Sequence, residues 1–221
     1  MTIPFPVLYD EGPLIAFDKP SGLYSIRERK GGEDRSLHAL ASLREGRRLF
    51  VVHRLDKDTS GVLLFARSAA AHRRLSLLFE TRQVEKSYLA WILGEPSAEE
   101  GVVETPLREF GSGRMGVDPR GKESLTRWRV LRRTPGAALL DVRPETGRRH
   151  QIRVHLCSIG HPVLGDRMYG PRRPVGGLPR LMLHAREIVF PWDAPDPIRI
   201  DSPAPPEFSV PPSLAVAQGC P

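Results

Sequence analysis

Three segments of the 221-residue chain place reactive side-chain types among apolar neighbours. The first is Val51-Val-His-Arg-Leu-Asp-Lys-Asp-Thr-Ser-Gly-Val-Leu-Leu-Phe65, where two strand-like apolar runs bracket a loop holding Asp56, Asp58, Thr59 and Ser60. Carboxylates and hydroxyls are groups that move protons or form covalent intermediates. Taken alone, the loop is more simply an Asx-turn whose carboxylates accept from backbone amides. The second is Lys86-Ser-Tyr-Leu-Ala90, which sets Tyr88 in a strand; alone, that is a core tyrosine. The third is Thr146-Gly-Arg-Arg-His-Gln-Ile-Arg-Val-His-Leu156, continuing through Gly160-His-Pro-Val-Leu-Gly-Asp166; alone, it is a solvated basic helix.

Other patterns are decoys. Gly111-Ser-Gly-Arg-Met-Gly116 matches a dinucleotide fingerprint, but Asp118-Pro-Arg-Gly121 follows it as turn chemistry where a helix is required, so it reads as a flexible loop. His53-Arg-Leu-Asp56 echoes a kinase catalytic loop without a glycine loop upstream or a DFG downstream. His150, His155 and His161 lack metal-ligand spacing and a nearby carboxylate cluster, and read as hydrogen-bonded structural histidines.

The elements that must position these residues follow from periodicity and punctuation. Val7–Tyr9 and Leu14–Phe17 flank Asp-Glu-Gly-Pro as two strands around a turn. Ser36 caps a helix over Leu37–Arg44 that stops at Gly46, and Ser68 caps a second over Ala69–Arg82. Leu49–Val52, Val62–Ala66, Tyr88–Leu93, Leu125–Leu131, Ala138–Val142 and Leu183–Phe190 read as strands, with Pro135-Gly136 turning between the fourth and fifth. Gln151–Leu156 fits either period; Thr146 as a cap and Gly160 as a stop favour a helix. Strands in runs with few helices give an α+β class. One domain is expected over residues 1–208, with a proline-rich tail over 209–221.

Composition sets the outer bounds. With 40% hydrophobic and 27% charged residues the chain can bury a core. No window approaches a membrane span, the first residues lack a secretory signal, and the two cysteines, Cys157 and Cys220, are too few for a disulfide framework. A reduced, cytoplasmic setting is the expectation. The formal charge is +7 with pI near 9.9, from 33 basic and 26 acidic residues. Arginine dominates, with 28 against 5 lysines. Eight arginines between Arg143 and Arg180 face only Glu145 and Asp166, the footprint expected of a nucleic-acid face.

Together the three segments resemble the RluA-type pseudouridine synthases. The matching strings are HRLDKDTSGVLLFAR at 53–67, EKSYLAWILGE at 85–95, TGRRHQIRVHLCSIGHPVLGDRMYG at 146–170 and LMLHA at 181–185. Weaker matches are LIAFDKPSGL at 14–23 and GKESLTRWRV at 121–130, so the resemblance runs from about Val7 to Phe208. Ser124 stands where the family usually has alanine, and no accessory RNA-binding domain of the S4 type precedes the matched region. The resemblance implies the pseudouridine synthase fold, a mixed, largely antiparallel central sheet with flanking helices and loops.

It also implies isomerisation of uridine to pseudouridine at specific sites in structured RNA, tRNA and/or 23S rRNA, without a cofactor or metal. Asp56 matches the family's catalytic aspartate, a nucleophile or base. Arg153 matches the arginine that pairs with it, Tyr88 the tyrosine that stacks on the target uracil, and Leu183 an apolar residue on the opposite face. Arg54 matches a residue that, in some relatives, enters the space the flipped base leaves. Such an enzyme must extrude its nucleotide, at a cost of a few kcal/mol; phosphate contacts, stacking and a plugging side chain offset this. The expected partner is RNA, not DNA or a membrane, and the expected state is a monomer. Arg27–Asp34 and Gly111–Lys122 are the loops expected to choose the target. The competing reading is a non-catalytic RNA-binding or RNA-remodelling protein on the same fold.

Overall fold

The computed structural model describes residues 4–27, 34–111, 113–171, 178, 180–193 and 195–209. In chain order its elements are β1 Val7–Glu11, β2 Leu14–Lys19, α1 Leu37–Arg44, β3 Phe50–Val51, β4 Ser60–Ala66, α2 Ala69–Glu80, β5 Glu85–Leu93 and β6 Glu100–Glu104. They continue with β7 Leu107–Glu109, β8 Met115–Val117, β9 Leu125–Thr134, β10 Ala137–Pro144, α3 Gln151–Ser158, β11 Leu183–Phe190, β12 Ile198–Asp201 and α4 Pro206–Ser209. Two compact units result, one of Met1–Lys86 with His184–Pro203, the other of Ser87–Leu183 with Ala204–Pro221.

In the first unit, β1 and β2 form an antiparallel hairpin, β2 runs antiparallel to β4, and β4 also pairs with β3. β4 meets β11 in parallel, Ser60 opposite His184, and β12 returns antiparallel along β11. Both faces of β2 and β4 are covered, which explains their unbroken apolar runs. Leu14, Ala16, Val62 and Leu64 pack with Ala71, Leu75 and Leu78 of α2. Phe17 and Phe65 meet edge to face, and α1 sets His38 against Phe65. Ser36 and Ser68 cap the two helices, accepting from the amides of Ala39 and Ala71. α2 stops at Glu80, two residues short of expectation, because Arg82 turns left-handed (φ 58°) and the Gln83 amide closes back on Leu78. Gly61 is irreplaceable by geometry: φ is +112°, and a Cβ there would lie 2.1 Å from the Ala185 carbonyl oxygen.

In the second unit, β5, β10, β9 and β6 form an antiparallel sheet, and β7 and β8 form a separate hairpin. α3 lays Ile152 and Leu156 on Ala90, Ile92, Trp128, Leu140 and Val142. The opposite face of β5 buries Leu89 and Trp91 with Met182 and Phe208. Trp91 donates its indole N–H to the Phe208 carbonyl, which seats the short helix α4. The tail from 210 onward lies outside the described residues.

Thr146 does not cap α3. The position before the helix is His150, in the left-handed conformation and without a side-chain cap. Thr146 instead accepts from the Leu125 amide and donates to the Gln151 side chain. Gln151 itself receives the Arg148 amide and donates to Leu125 O and Thr126 Oγ1, so all four of its hydrogen-bonding positions are used. Around the Gly111–Gly116 string the Phe110 amide bonds to Arg114 O and the Gly113 amide to Phe110 O, and β8 opens at Met115, so a strand and not a helix follows.

Candidate active site

The loop that carries Asp56 leaves β3 and enters β4, and buried groups hold it by its backbone. Lys19, at the end of β2, is 0% exposed, and its ammonium donates to the carbonyls of Pro20, Leu23 and Lys57 at 2.9, 2.7 and 2.8 Å. Three donors meet three acceptors, which is what a buried ammonium requires. The buried Ser25 hydroxyl donates to Leu55 O at 2.7 Å and accepts from the Leu55 amide at 3.0 Å. Ser21 donates to Asp58 O, the Gly22 amide to Lys57 O and the Thr59 amide to Asp56 O. Asp56, half-buried, thus sits between two residues whose carbonyls are fixed. Sequence reasoning passed over Lys19 and Ser25; the only trace was the string LIAFDKPSGL, which places a lysine at the end of an apolar strand.

The approach to the loop is equally fixed. His53 stacks on Phe79, ring centroids 5.1 Å apart, and its Nε2 accepts from the Leu64 amide at 2.9 Å. Burial pushes its pKa down to about 3, with the charge of Lys86 adding to the effect, so the ring is a neutral acceptor. Lys86 is itself lowered to about 8 by burial and by Arg82. The next residue, Arg54, is exposed, and Lys57 lies over the Tyr24 ring at 4.7 Å.

The second unit holds the other expected site residues. Tyr88 of β5 lies opposite Val142 of β10, half-buried against the apolar cluster that contains Ile152 and the buried Leu183. Arg153 of α3 is 8% exposed and pairs two-pronged with Asp166, Nε to Oδ2 at 2.7 Å and Nη2 to Oδ1 at 2.8 Å. Oδ1 also accepts the amides of Met168 and Tyr169. Burial alone would raise the Asp166 pKa; the bonds to Arg153 and the two amides outweigh it and hold the carboxyl below its ordinary value. The Arg153 guanidinium lies 5.0 Å from the Tyr169 ring centre. Asp56 and Arg54 therefore share one loop of the first unit, while Tyr88, Leu183 and the helix bearing Arg153 share one cluster of the second.

The three histidines have structural partners. His150 Nδ1 lies 2.8 Å from Tyr169 Oη, and His161 Nδ1 donates to Leu93 O. His155 donates from Nε2 to Thr105 O while Nδ1 meets Thr126 Oγ1. Burial lowers the His155 pKa and raises that of Cys157. Among the described arginines of the run from Arg143 to Arg180, several are paired. Arg143, Arg149, Arg153 and Arg180 pair with Asp141, Glu109, Asp166 and Glu207, and Arg148 donates to Glu123 O. Of the two candidate target-selecting loops, residues 28–33 lie outside the described residues. The other is built around Asp118, which Arg120 and Arg108 clasp and which is held well below the carboxylate range by the Arg120 side-chain and backbone bonds. Among the described residues no helix is long and apolar enough to cross a membrane, and no group of His, Cys, Asp and Glu is arranged to hold a metal.

Known proteins share this architecture. A family model described as RNA pseudouridylate synthase matches residues 13–158. An uncharacterized RNA pseudouridine synthase of Zymomonas mobilis is 39% identical over 92% of this chain and 95% of its own length. A protein of Vibrio vulnificus named ribosomal large subunit pseudouridine synthase C is 40% identical over 89% of this chain, which spans 65% of that relative's length. Among solved structures, human RNA pseudouridylate synthase domain containing 4 superposes with a TM-score of 0.74 at 29% identity, covering 92% of this chain and 90% of its own. With the family model matched from β2 to α3 and a relative aligned nearly end to end, the chain belongs to the RNA pseudouridine synthase family, enzymes that isomerise uridine to pseudouridine within RNA.

Proposed function

We propose that this chain modifies uridine in large-subunit ribosomal RNA, with Asp56 as its catalytic carboxylate. The N1–C1′ bond of the target breaks, the uracil turns, and a C5–C1′ bond forms; the C5 proton leaves to solvent and N1 gains one. Asp56 acts as nucleophile or base at the ribose or the base. By resemblance to the family, Arg153 is the arginine that serves this carboxylate, Tyr88 stacks on the uracil, Leu183 closes the other face, and Arg54 fills the gap the flipped base leaves. The observation that carries this reading is the Asp56 loop itself: a carboxylate on a backbone pinned on both sides by the buried Lys19 and Ser25 is preorganised as a reacting group must be. The ribosomal substrate is supported by the names of relatives such as that of Vibrio vulnificus, and a cytoplasmic setting accords with such a substrate; tRNA is the alternative substrate.

The test is release of tritium from [5-³H]uridine-labelled ribosomal and transfer RNA. Wild-type protein should release it from ribosomal RNA and Asp56→Asn should not. Equal release by both overturns the assignment of Asp56, and release from transfer RNA alone overturns the substrate. An Asp56→Ala variant that fully restores cells lacking the protein would favour the RNA-remodelling reading.

A further inference from the structure

Tyr169 lies outside the residues assigned so far, yet each of its polar groups is engaged. Its amide donates to Asp166 Oδ1 at 3.0 Å, and its carbonyl accepts the Cys157 thiol at 3.2 Å. Its hydroxyl accepts the Met115 amide at 3.0 Å and lies 2.8 Å from His150 Nδ1. Its ring meets two guanidinium groups, Arg153 at 5.0 Å and Arg114 at 5.4 Å from its centre. Met115 opens β8, Arg114 is in the hairpin turn and also donates to Met168 O, and Arg149 ties to Glu109 at the end of β7. His150, held against the hydroxyl, is the left-handed residue (φ 54°) from which α3 and Arg153 start.

We propose that Tyr169 is a positioning residue that sets the Arg153 guanidinium and links its orientation to the β7–β8 hairpin. The inference rests on the reading of Arg153 as the partner of the catalytic carboxylate. Asp166 fixes one edge of the guanidinium and the Tyr169 ring fixes its plane. The hydroxyl then couples that ring to a hairpin that exposes Phe110 and carries Arg108 and Arg114, an apolar side chain beside cations suited to an unstacked RNA base and its phosphate. RNA seated on the hairpin therefore bears on the plane of Arg153 through one side chain.

The two halves of Tyr169 separate by substitution. Tyr169→Phe keeps the ring over Arg153 and loses the hairpin bond; KM for ribosomal RNA should rise about 5-fold, with a smaller fall in kcat than Tyr169→Leu gives. Tyr169→Leu removes the ring as well, and kcat should fall on the order of 10- to 100-fold. Thermal unfolding of both variants, followed alongside, reports on the fold, and recovery of kcat on going from Leu to Phe is the signature that a merely structural tyrosine would not give. Arg153→Lys is run in parallel. If it keeps full kcat, the reading of Arg153 fails and this inference with it. If it loses kcat while Tyr169→Phe shows wild-type KM, or while Tyr169→Leu shows wild-type kcat, the role of Tyr169 alone is overturned.

Discussion

The two units hold their site residues by opposite devices. In the first, a buried cation grips backbone: Lys19 spends its three hydrogens on carbonyls, and the Asp56 side chain is carried by a loop that its own neighbours cannot move. In the second, a buried anion grips a side chain: Asp166 accepts two prongs of Arg153 and two amides, and the guanidinium is aimed while its helix is held by apolar packing. A loop must be fixed through its peptide groups because no helix or sheet ladder fixes them. A helix needs no such help, so its long side chain is what must be immobilised. The first device depends on an ammonium meeting neutral acceptors, the second on a pair of full charges, and the two should fail differently.

The largest effect should come from splitting the charge pair. Asp166→Asn leaves Arg153 buried with half its partner gone, and unfolding in denaturant should show a loss of about 3–5 kcal/mol. Because the Asp166 pKa is lower in the folded state, the pair's contribution is complete above the unfolded value of 3.8 and disappears as pH falls below it. Replacing both partners, Arg153→Met with Asp166→Leu, should recover much of the stability and none of the turnover, which separates the structural cost from the catalytic one. Next comes Lys19→Met, which strands the carbonyls of Pro20, Leu23 and Lys57. A loss of about 2–4 kcal/mol is expected, with kcat down on the order of 100-fold as the loop loosens. If Lys19→Met lowered stability and left kcat intact, the loop clamp would be a folding device only.

These two clamps also mark how far the sequence could be read. Helices α1 and α2 were legible because Ser36 and Ser68 begin them and apolar residues recur on one face. Strands β2 and β4 were legible from apolar runs, and Asp56, Tyr88 and Arg153 are candidates because of the strings that hold them. Lys19 was not, because a lysine ending a strand ordinarily reaches solvent, and only the folded chain converges three carbonyls on it. The pairing of Arg153 with Asp166 crosses 13 positions and a turn, beyond any local pattern. Short strands such as β7 and β8, three residues each, carry too few side chains to show alternation. Summed charge says nothing of pairing: among the described arginines between 143 and 180, Arg153 is committed to the buried Asp166, while Arg143 and Arg149 pair with carboxylates and stay partly exposed.

A third prediction tests the neutral character of the first unit's loop entry. His53 has a folded pKa of about 3 against 6.5 when unfolded, so the unfolded chain takes up its proton first. The stability this lends is complete above pH 6.5 and is lost as pH falls toward 3, at about 1.4 kcal/mol per pH unit. His53→Gln offers an amide oxygen to the Leu64 amide without titrating, and its unfolding free energy should vary less with pH between 6.5 and 4. An unchanged slope would mean that the ring is not the neutral acceptor its bond to Leu64 implies.

The smallest change is the sharpest on whether the loop clamp serves chemistry. Ser25→Ala removes one hydroxyl that both donates to and accepts from Leu55, next to Asp56, and should cost about 1 kcal/mol. Ser36→Ala, in the same unit, removes a helix cap of similar worth, about 1 kcal/mol, on α1. Matched in stability, the two variants differ in what they release: the first frees the peptide group preceding the carboxylate, the second the first turn of a helix. Tritium release should therefore fall on the order of 10-fold for Ser25→Ala and stay near wild type for Ser36→Ala, because a reacting group displaced by a fraction of an ångström loses rate out of proportion to stability. Equal rates for the two variants would mean that the Leu55 bonds hold the fold and not the geometry of Asp56.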